Sequence, residues 1–291
     1  MASFKRQRVV PYLYILPLVI FSGVFLYYAL GFTVYTSFHE WNGISKDMAY
    51  VALGNYFKLF SNPIFYGSVW NVVVFFVLTV GIQGMLGFLI AVCFREPIKA
   101  KSIYQAIFFV PVIMSPAVIS AIFRILLDPN VGQVNETLNS IGLGDFAQSW
   151  LGDPNIALFS IVGVNVFQWM GFSMMLYHSS LLAVPEEVYE AAKIDGCGFW
   201  TTTFKITFPI VRSTHVLQIV LGILGSLKTF DIVYLLTGGG PGHYTEFLTT
   251  YLYKAGLQDF NGGYASTIGT VIVVIAVVFA ILQIRLINRK S

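Results

Sequence analysis

Two groups of side chains in this 291-residue sequence have the types and spacing to handle a small polar solute. The first is Asn165, Gln168, Trp169 and Phe172, all inside one apolar run. On a helix Trp169 and Phe172 share a face and Gln168 adjoins them. Aromatic faces with nearby amides suit the ring and hydroxyls of a sugar. The same amides can instead bond across packed helices in a membrane. The second group is Lys228 and Asp231, also within an apolar run. An ionised side chain at mid-bilayer costs about 2.5–3.5 kcal/mol on insertion scales. At i and i+3 the two can pair on one helix face. They can line a polar path, serve as a structural ion pair, or lie nearer the outer end of the run.

Other chemistry is hard to find. Gly238–Gly242 lacks the lysine and Ser/Thr of a phosphate-cradling loop, and in Gly225–Thr229 Leu227 replaces the needed glycine. His39, His178, His215 and His243 are scattered, and His178-Ser179-Ser180 reads as a solvated helix end. Cys93 and Cys197 stand in no metal or redox spacing. We expect no catalytic constellation, no metal site, no nucleic-acid partner and no bound cofactor. ATP and Mg, if used, belong to another chain.

The elements that position these groups follow from composition. The chain is 56% hydrophobic and 11% charged, against about 25% charged in a soluble domain. Its surroundings are therefore lipid. A bilayer-spanning helix needs about 20 apolar residues. Six runs qualify: about Pro11–Phe38, Ser68–Phe94, Ile103–Leu127, Ile156–Ala183, Ser213–Leu236 and Ala265–Ile287. The first is too long for a signal-peptide core, so we expect an uncleaved span. Lys5, Arg6, Arg8, Arg95, Lys99, Lys101, Lys193, Lys205, Arg212, Arg285, Arg289 and Lys290 fall on one side, and Lys46, Lys58 and Lys254 on the other. That asymmetry predicts both termini in the cytoplasm. The acidic segment from Asp128 to Pro154 then lies outside.

The longest inner loop, residues 184–212, differs in kind. Pro185 suits a first helical position, and Glu186 and Glu187 favour the helix N-terminus electrostatically. Val188, Ala191, Ala192 and Asp195 share a face. Gly196 and Gly198 can end the helix. A second short helix is predicted from Phe199 to about Thr207, with Pro209 breaking it before span five. Read physically, this is either an interfacial connector or a small-residue surface for a partner protein.

Glu190-Ala191-Ala192, Gly196, Ile206 and Pro209 resemble the EAA loop of binding-protein-dependent ABC importer permeases. Cys197 and Phe208 depart from the usual alanine and leucine but stay apolar. Leu53-Gly54-Asn55-Tyr56-Phe57, Asn62-Pro63 and Asn71 resemble the outer pattern of carbohydrate-importer permeases. Phe230-Asp231, Leu236-Thr237, Gly239-Gly240-Pro241, Tyr251 and Gly263-Tyr264-Ala265 resemble the first of the two unlike membrane subunits of maltose and glycerol-3-phosphate importers.

The resemblance implies an all-α membrane protein of six transmembrane helices with the type I ABC importer permease fold. Residues 1–67 would form the N-terminal tail, first span and outer loop; residues 68–288 would form the permease domain. It implies a second, unlike permease, two cytoplasmic ATP-binding subunits and an extracytoplasmic solute-binding protein. The setting would be a bacterial or archaeal cytoplasmic membrane. Glu190, Ala191, Ala192, Asp195, Gly196, Ile206 and Pro209 would couple to the ATPase. A secondary transporter driven by an ion gradient would need acidic or histidine relays in several spans, and Asp231 is the one good intramembrane acid. An intramembrane enzyme would need a nucleophile–base or metal set, and none is apparent.

Overall fold

Backbone amides left unpaired in lipid cost several kcal/mol each, and the apolar runs close theirs within helices. The computed structural model describes residues 12, 14–96 and 98–288. Lys5, Arg6, Arg8, the start of the first run at Pro11, Arg289 and Lys290 lie outside the described residues. Four helices are long and apolar enough to cross a membrane: Tyr14–Ser37 (α1), Pro63–Cys93 (α3), Ala157–Leu181 (α7) and Gly262–Gln283 (α12).

The other two predicted spans are not single rods. Span three is the pair Lys101–Ile113 (α4) and Pro116–Leu126 (α5), bent by 96°. The cause is local. Pro116 pushes Ser115 out of the helical region to ψ 147°, and the Ser115 hydroxyl accepts the Val118 N–H. Span five, read over Ser213–Leu236, ends its helix at Lys228 (Arg212–Lys228, α10), and before it the chain bends by 69° from Phe199–Ile210 (α9). By length and composition the described residues hold four spans, or up to six if each bent pair crosses once.

The chain divides into two compact units. In one, the residues up to Pro63 join Tyr251–Ile281. A two-stranded antiparallel hairpin, His39–Glu40 with Ala49–Tyr50, follows α1, and the short helix Gly54–Phe60 (α2) comes next. The Asn55 amide donates to the carbonyls of Ser37 and His39 at 3.0 Å. The Tyr56 hydroxyl bonds Ser37 Oγ at 2.7 Å. Asn62 donates to Tyr251 Oη at 2.9 Å, which bonds Tyr264 Oη at 2.7 Å. The Asn-Tyr pattern and the Gly-Tyr-Ala pattern are therefore ties within one unit. Gly263 has no room for a side chain, because a Cβ there would run into the His39 carbonyl.

The other unit runs from Ile64 to Thr250, joined by Leu282 onward. Its core packs Phe88, Ala91 and Val92 of α3 against Met174, Tyr177 and Leu181 of α7, with Val211. Glycines set the approach: a Cβ on Gly87 would overlap Ser173, and one on Gly171 the Phe108 carbonyl of α4. The segment between α5 and α7 carries the helix Gln133–Ser140 (α6), and its N-terminal side is anchored by Asp128. That carboxylate accepts the Asn130 and Val131 N–H groups, which holds its pKa below the usual value.

Candidate functional site

A cavity of about 360 Å³ opens between α3, α7 and α10. Ligand sites typically span about 300–1,000 Å³, so the volume suits a small solute. Asn165, Trp169 and Phe172 line it, one helical turn after another along α7. Trp169 and Phe172 meet edge to face at 6.2 Å. Opposite them stand Thr79 and Gln83 of α3 and Gln218 of α10. Gly222 and Gly225 also line it. A Cβ on Gly222 would collide with Val80, so this glycine lets α10 approach α3.

The polar wall is organised around Ser173. Gln83 Nε2 donates to Ser173 Oγ at 2.7 Å, and Gln218 Nε2 donates to the same oxygen at 2.8 Å. Gln218 is only 4% exposed, and its Oε1 has no partner among the described residues. A buried acceptor without a donor costs about 1–3 kcal/mol. Sequence reasoning missed Gln83 and Gln218. Each is a lone glutamine in an apolar run, the same signal that drew attention to Gln168.

Gln168 lies elsewhere. It is 2% exposed and donates Nε2 to the Met114 carbonyl at 3.2 Å. In an unbroken helix the Val118 N–H would take that carbonyl, but here it bonds Ser115 Oγ instead. Gln168 thus satisfies the α4–α5 bend. Lys228 and Asp231 are also absent from the cavity lining, and among the described residues they form no ion pair. The helix read through them ends at Lys228 and restarts as Asp231–Leu236 (α11). Thr229 turns extended, and its hydroxyl takes the Gly225 carbonyl at 2.9 Å. Lys228 therefore sits in the last turn of one helix and Asp231 in the first turn of the next. Each is favoured there by the helix dipole rather than by the other.

Residues 184–212 fold as a helix, a glycine turn and a helix. The first helix, α8, is Glu186–Ile194; Pro185 stands one position before it, at ψ 140°. Its end is a Schellman motif: Cys197 N–H bonds the Ala192 carbonyl at 2.9 Å and Gly196 N–H the Lys193 carbonyl at 3.1 Å. Gly196 has φ +72°, where glycine is at home. Gly198 has φ −73° and shows no such need.

The face expected to be shared divides. Ala192 is buried, together with Tyr189, while Glu190, Ala191 and Asp195 are exposed. Ile194 beside them is 86% exposed. Tyr189, overlooked in the sequence, is the anchor: the Arg95 guanidinium lies 3.5 Å from its ring centre. Pro209 does not end the second helix. A π-helical turn, Thr202–Thr207 and including Ile206, carries the chain through it to Ile210, and the bend falls at Val211. The wider turn accommodates the missing proline N–H. His215 Nε2–H then takes the Phe208 carbonyl at 2.9 Å, leaving Nδ1 to accept the Tyr177 hydroxyl at 2.8 Å. His178, read as solvated, is buried.

The glycine loop over residues 238–242 encloses a carboxylate. Glu246 is fully buried and bonds His243 Nδ1 at 3.0 Å. A Cβ on Gly239 would approach its carboxyl atoms to 2.7–2.8 Å. Asn71 of α3 donates to the Tyr244 and Glu246 carbonyls at 2.9 Å. The glycines, Asn71 and Glu246 are one structural knot.

Residues 83–291 match the family described as binding-protein-dependent transport system inner membrane component. The chain is similar to the probable ABC transporter permease YurN of Bacillus subtilis, 33% identical with 97% of both chains covered. It is similar to the trehalose/maltose transport system permease MalF of Thermococcus litoralis, 30% identical over 98% of this chain and 96% of that protein. The diacetylchitobiose uptake permease NgcF of Streptomyces coelicolor is 33% identical over 94% of this chain and 80% of its own length. In fold it matches a crystal structure of a bacterial ABC transporter that imports alginate, with TM-score 0.84, 22% identity and complete coverage of both chains. The chain is a multi-pass membrane permease of the ABC importer type and belongs to the inner membrane components of binding-protein-dependent transport systems.

Proposed function

We propose that this permease moves a sugar or sugar-like solute into the cytoplasm by alternating access, through the cavity between α3, α7 and α10. The observation that carries this reading is the cavity wall: Trp169 and Phe172 supply aromatic surface, and Gln218 Oε1 supplies a buried acceptor. Asn165 adds an amide. Relatives named for trehalose, maltose and diacetylchitobiose support the solute class. Gln168 acts at the α4–α5 bend. Lys228 and Asp231 flank a helix break at the edge of the path rather than contacting solute.

The inner loop is the coupling element. Exposed Ala191, with Glu190, Ile194 and Asp195 beside it, fits a groove on a cytoplasmic ATPase. Buried Ala192 and Tyr189 fix α8 to the inner end of α3, so a push on one moves the other. Gly196 sets the angle to α9, while Ile206 and Pro209 pass the motion to α10. ATP and Mg reside on two ATPase subunits, and this chain has no nucleotide site of its own. Its partners are a second, unlike permease and an extracytoplasmic solute-binding protein. A solved alginate transporter in complex with a substrate-bound periplasmic protein supports the last of these. The protein resides in a bacterial or archaeal cytoplasmic membrane, with six crossings and both termini inside. The bent pair α4 and α5 is then one crossing, and α10 is the crossing that follows the cytoplasmic α9.

The decisive experiment is solute uptake by proteoliposomes holding this chain, its partner permease and the ATPase pair, with loaded binding protein outside. Uptake should require hydrolysable ATP and the separate ATPase. Uptake driven by an ion gradient without the ATPase sinks the proposal. Topology is tested by a Lys193→Cys probe after the exposed Cys93 and half-buried Cys197 are replaced. The probe should resist an impermeant maleimide in intact cells, and efficient labelling overturns the orientation.

A further inference from the structure

A second cavity, of about 220 Å³, lies behind α8, between the inner end of α3 and α9. It is below the roughly 300 Å³ at which drug-sized ligand sites begin, and it equals about seven waters at roughly 30 Å³ each. It therefore suits one compact polar group with some water.

Its lining is basic and rich in hydroxyls. Arg95 enters from the turn after α3, Lys193 from the last turn of α8, and Thr202, Thr203 and Thr207 from the π-turn of α9. Thr203 and Thr207 are buried. Tyr189, 2% exposed, lines the same cavity, and its hydroxyl is buried without a partner among the described residues. The one acid in the lining is Glu96, whose carboxylate holds Arg95 at 3.3 Å. Arg95 is 19% exposed and Glu96 58%, so the acid can turn to water while the guanidinium stays. A cation over the Tyr189 ring keeps donors free at its edge. The Thr207 hydroxyl already donates to the Thr202 carbonyl at 3.1 Å, which leaves two cations, the Thr202 and Thr203 hydroxyls and an orphaned phenol as the donor set for a tetrahedral oxyanion.

We propose that this cavity is a phosphate-recognition site, taking either the headgroup phosphate of an anionic lipid or a free phosphate group. A bound phosphate would bridge Arg95 to Lys193 and so tie the end of α3 to the coupling helix. The site stands on this chain's own residues and does not depend on the solute or on the ATPase.

The test uses the full chain, purified in a neutral detergent, with thermal unfolding followed against added probe. One arm titrates inorganic phosphate against chloride at matched ionic strength. The second titrates short-chain phosphatidylglycerol against phosphatidylcholine. A saturable stabilisation in either arm, absent from its control, is expected; the responding arm names the source. Lys193→Gln and Thr203→Val should each raise the half-saturating concentration about tenfold or more, while Lys205→Gln, outside the lining, leaves it unchanged. No saturable shift in either arm overturns the proposal. So does a shift that persists unaltered in both lining variants. If Lys193→Gln proves unstable, Thr203→Val, which conserves volume, decides alone.

Discussion

The cavity between α3, α7 and α10 and the loop over residues 184–212 use small and polar residues in opposite ways. Around the cavity the amides of Gln83 and Gln218 converge on Ser173, and Gln218 Oε1 is left buried without a partner among the described residues. In the loop the backbone groups at the α8 terminus are closed by a Schellman motif, and the apolar residues Ala191 and Ile194 face outward. A solute site keeps a polar group in reserve for a guest that comes and goes. A docking surface keeps its own backbone satisfied and leaves apolar area for a permanent neighbour. The two meet through α3, which lines the cavity with Thr79 and Gln83 and holds α8 through the Arg95 that follows it.

The largest effects are expected where the loop is distorted. Gly196→Val forces a β-branched residue to φ +72°, at about 1–2 kcal/mol of local strain. No atom within 4 Å opposes the new side chain, so the strain comes from the backbone alone and re-aims α8. The variant should reach the membrane normally yet lose solute-stimulated ATP hydrolysis by the assembly. Ala191→Trp should do the same by blocking close approach. Full stimulation in both variants, at normal expression, reduces the loop to a connector.

The next effects separate two side chains one position apart. Trp169→Ala removes cavity surface and should raise the half-saturating solute concentration for uptake by about tenfold, the scale of one buried aromatic contact. Gln168→Ala strands the Met114 carbonyl, a loss of about 1–3 kcal/mol. It should lower the thermal midpoint of the chain and leave that concentration nearly unchanged. If Gln168→Ala weakens solute apparent affinity as strongly as Trp169→Ala, the division of α7 into a cavity face and a bend-supporting face is wrong.

What the sequence displayed follows the same line. The apolar runs, the helix-glycine-helix loop and the positive φ at Gly196 were legible because local chemistry decides them. The Ser115-Pro116 signal for the α4–α5 bend was also present, but a continuous run of apolar residues masked it. Gln168 and Gln218 could not be told apart, since each is an amide in an apolar helix and only the packing of α4 and α10 assigns their partners. The i, i+3 spacing of Lys228 and Asp231 misled for a related reason. Spacing assumes an unbroken helix, and Thr229 breaks it with a side-chain bond to its own preceding turn. Ala191 and Ala192 are alike in sequence, yet the anchoring of Tyr189 turns one outward and the other inward.

A smaller contrast lies in the glycine loop over residues 238–242. Gly239→Ala drives a methyl toward the buried Glu246 carboxylate and should depress expression or thermal stability. Gly238→Ala, with φ +62° and its nearest neighbour at 3.9 Å, adds only about 1–2 kcal/mol of backbone strain and should leave coupling intact. Equal loss in both would mean that backbone angle, not the space around Glu246, controls the loop.

The smallest effect is expected at Asp231, and it bears on how the transporter is driven. Were Lys228 and Asp231 a buried ion pair, removing one charge would strand the other at about 3–5 kcal/mol. Were Asp231 a proton relay, its neutral form would stop transport. Both groups instead face outward from the described residues, each at a helix end that favours its charge. Asp231→Asn keeps the side-chain shape and gives up only the dipole interaction, about 0.3–1 kcal/mol. Asparagine is poor in a helix interior but well tolerated near an N-terminus, so α11 should persist. ATP-dependent uptake by the Asp231→Asn assembly should stay within about fivefold of the parent, since a loss of about 1 kcal/mol changes an equilibrium by about fivefold at 25 °C. Its dependence on external pH should match the parent's. Abolished uptake, or a pH dependence that disappears with the carboxylate, would place the acid in the transport path and return the ion-gradient mechanism to contention.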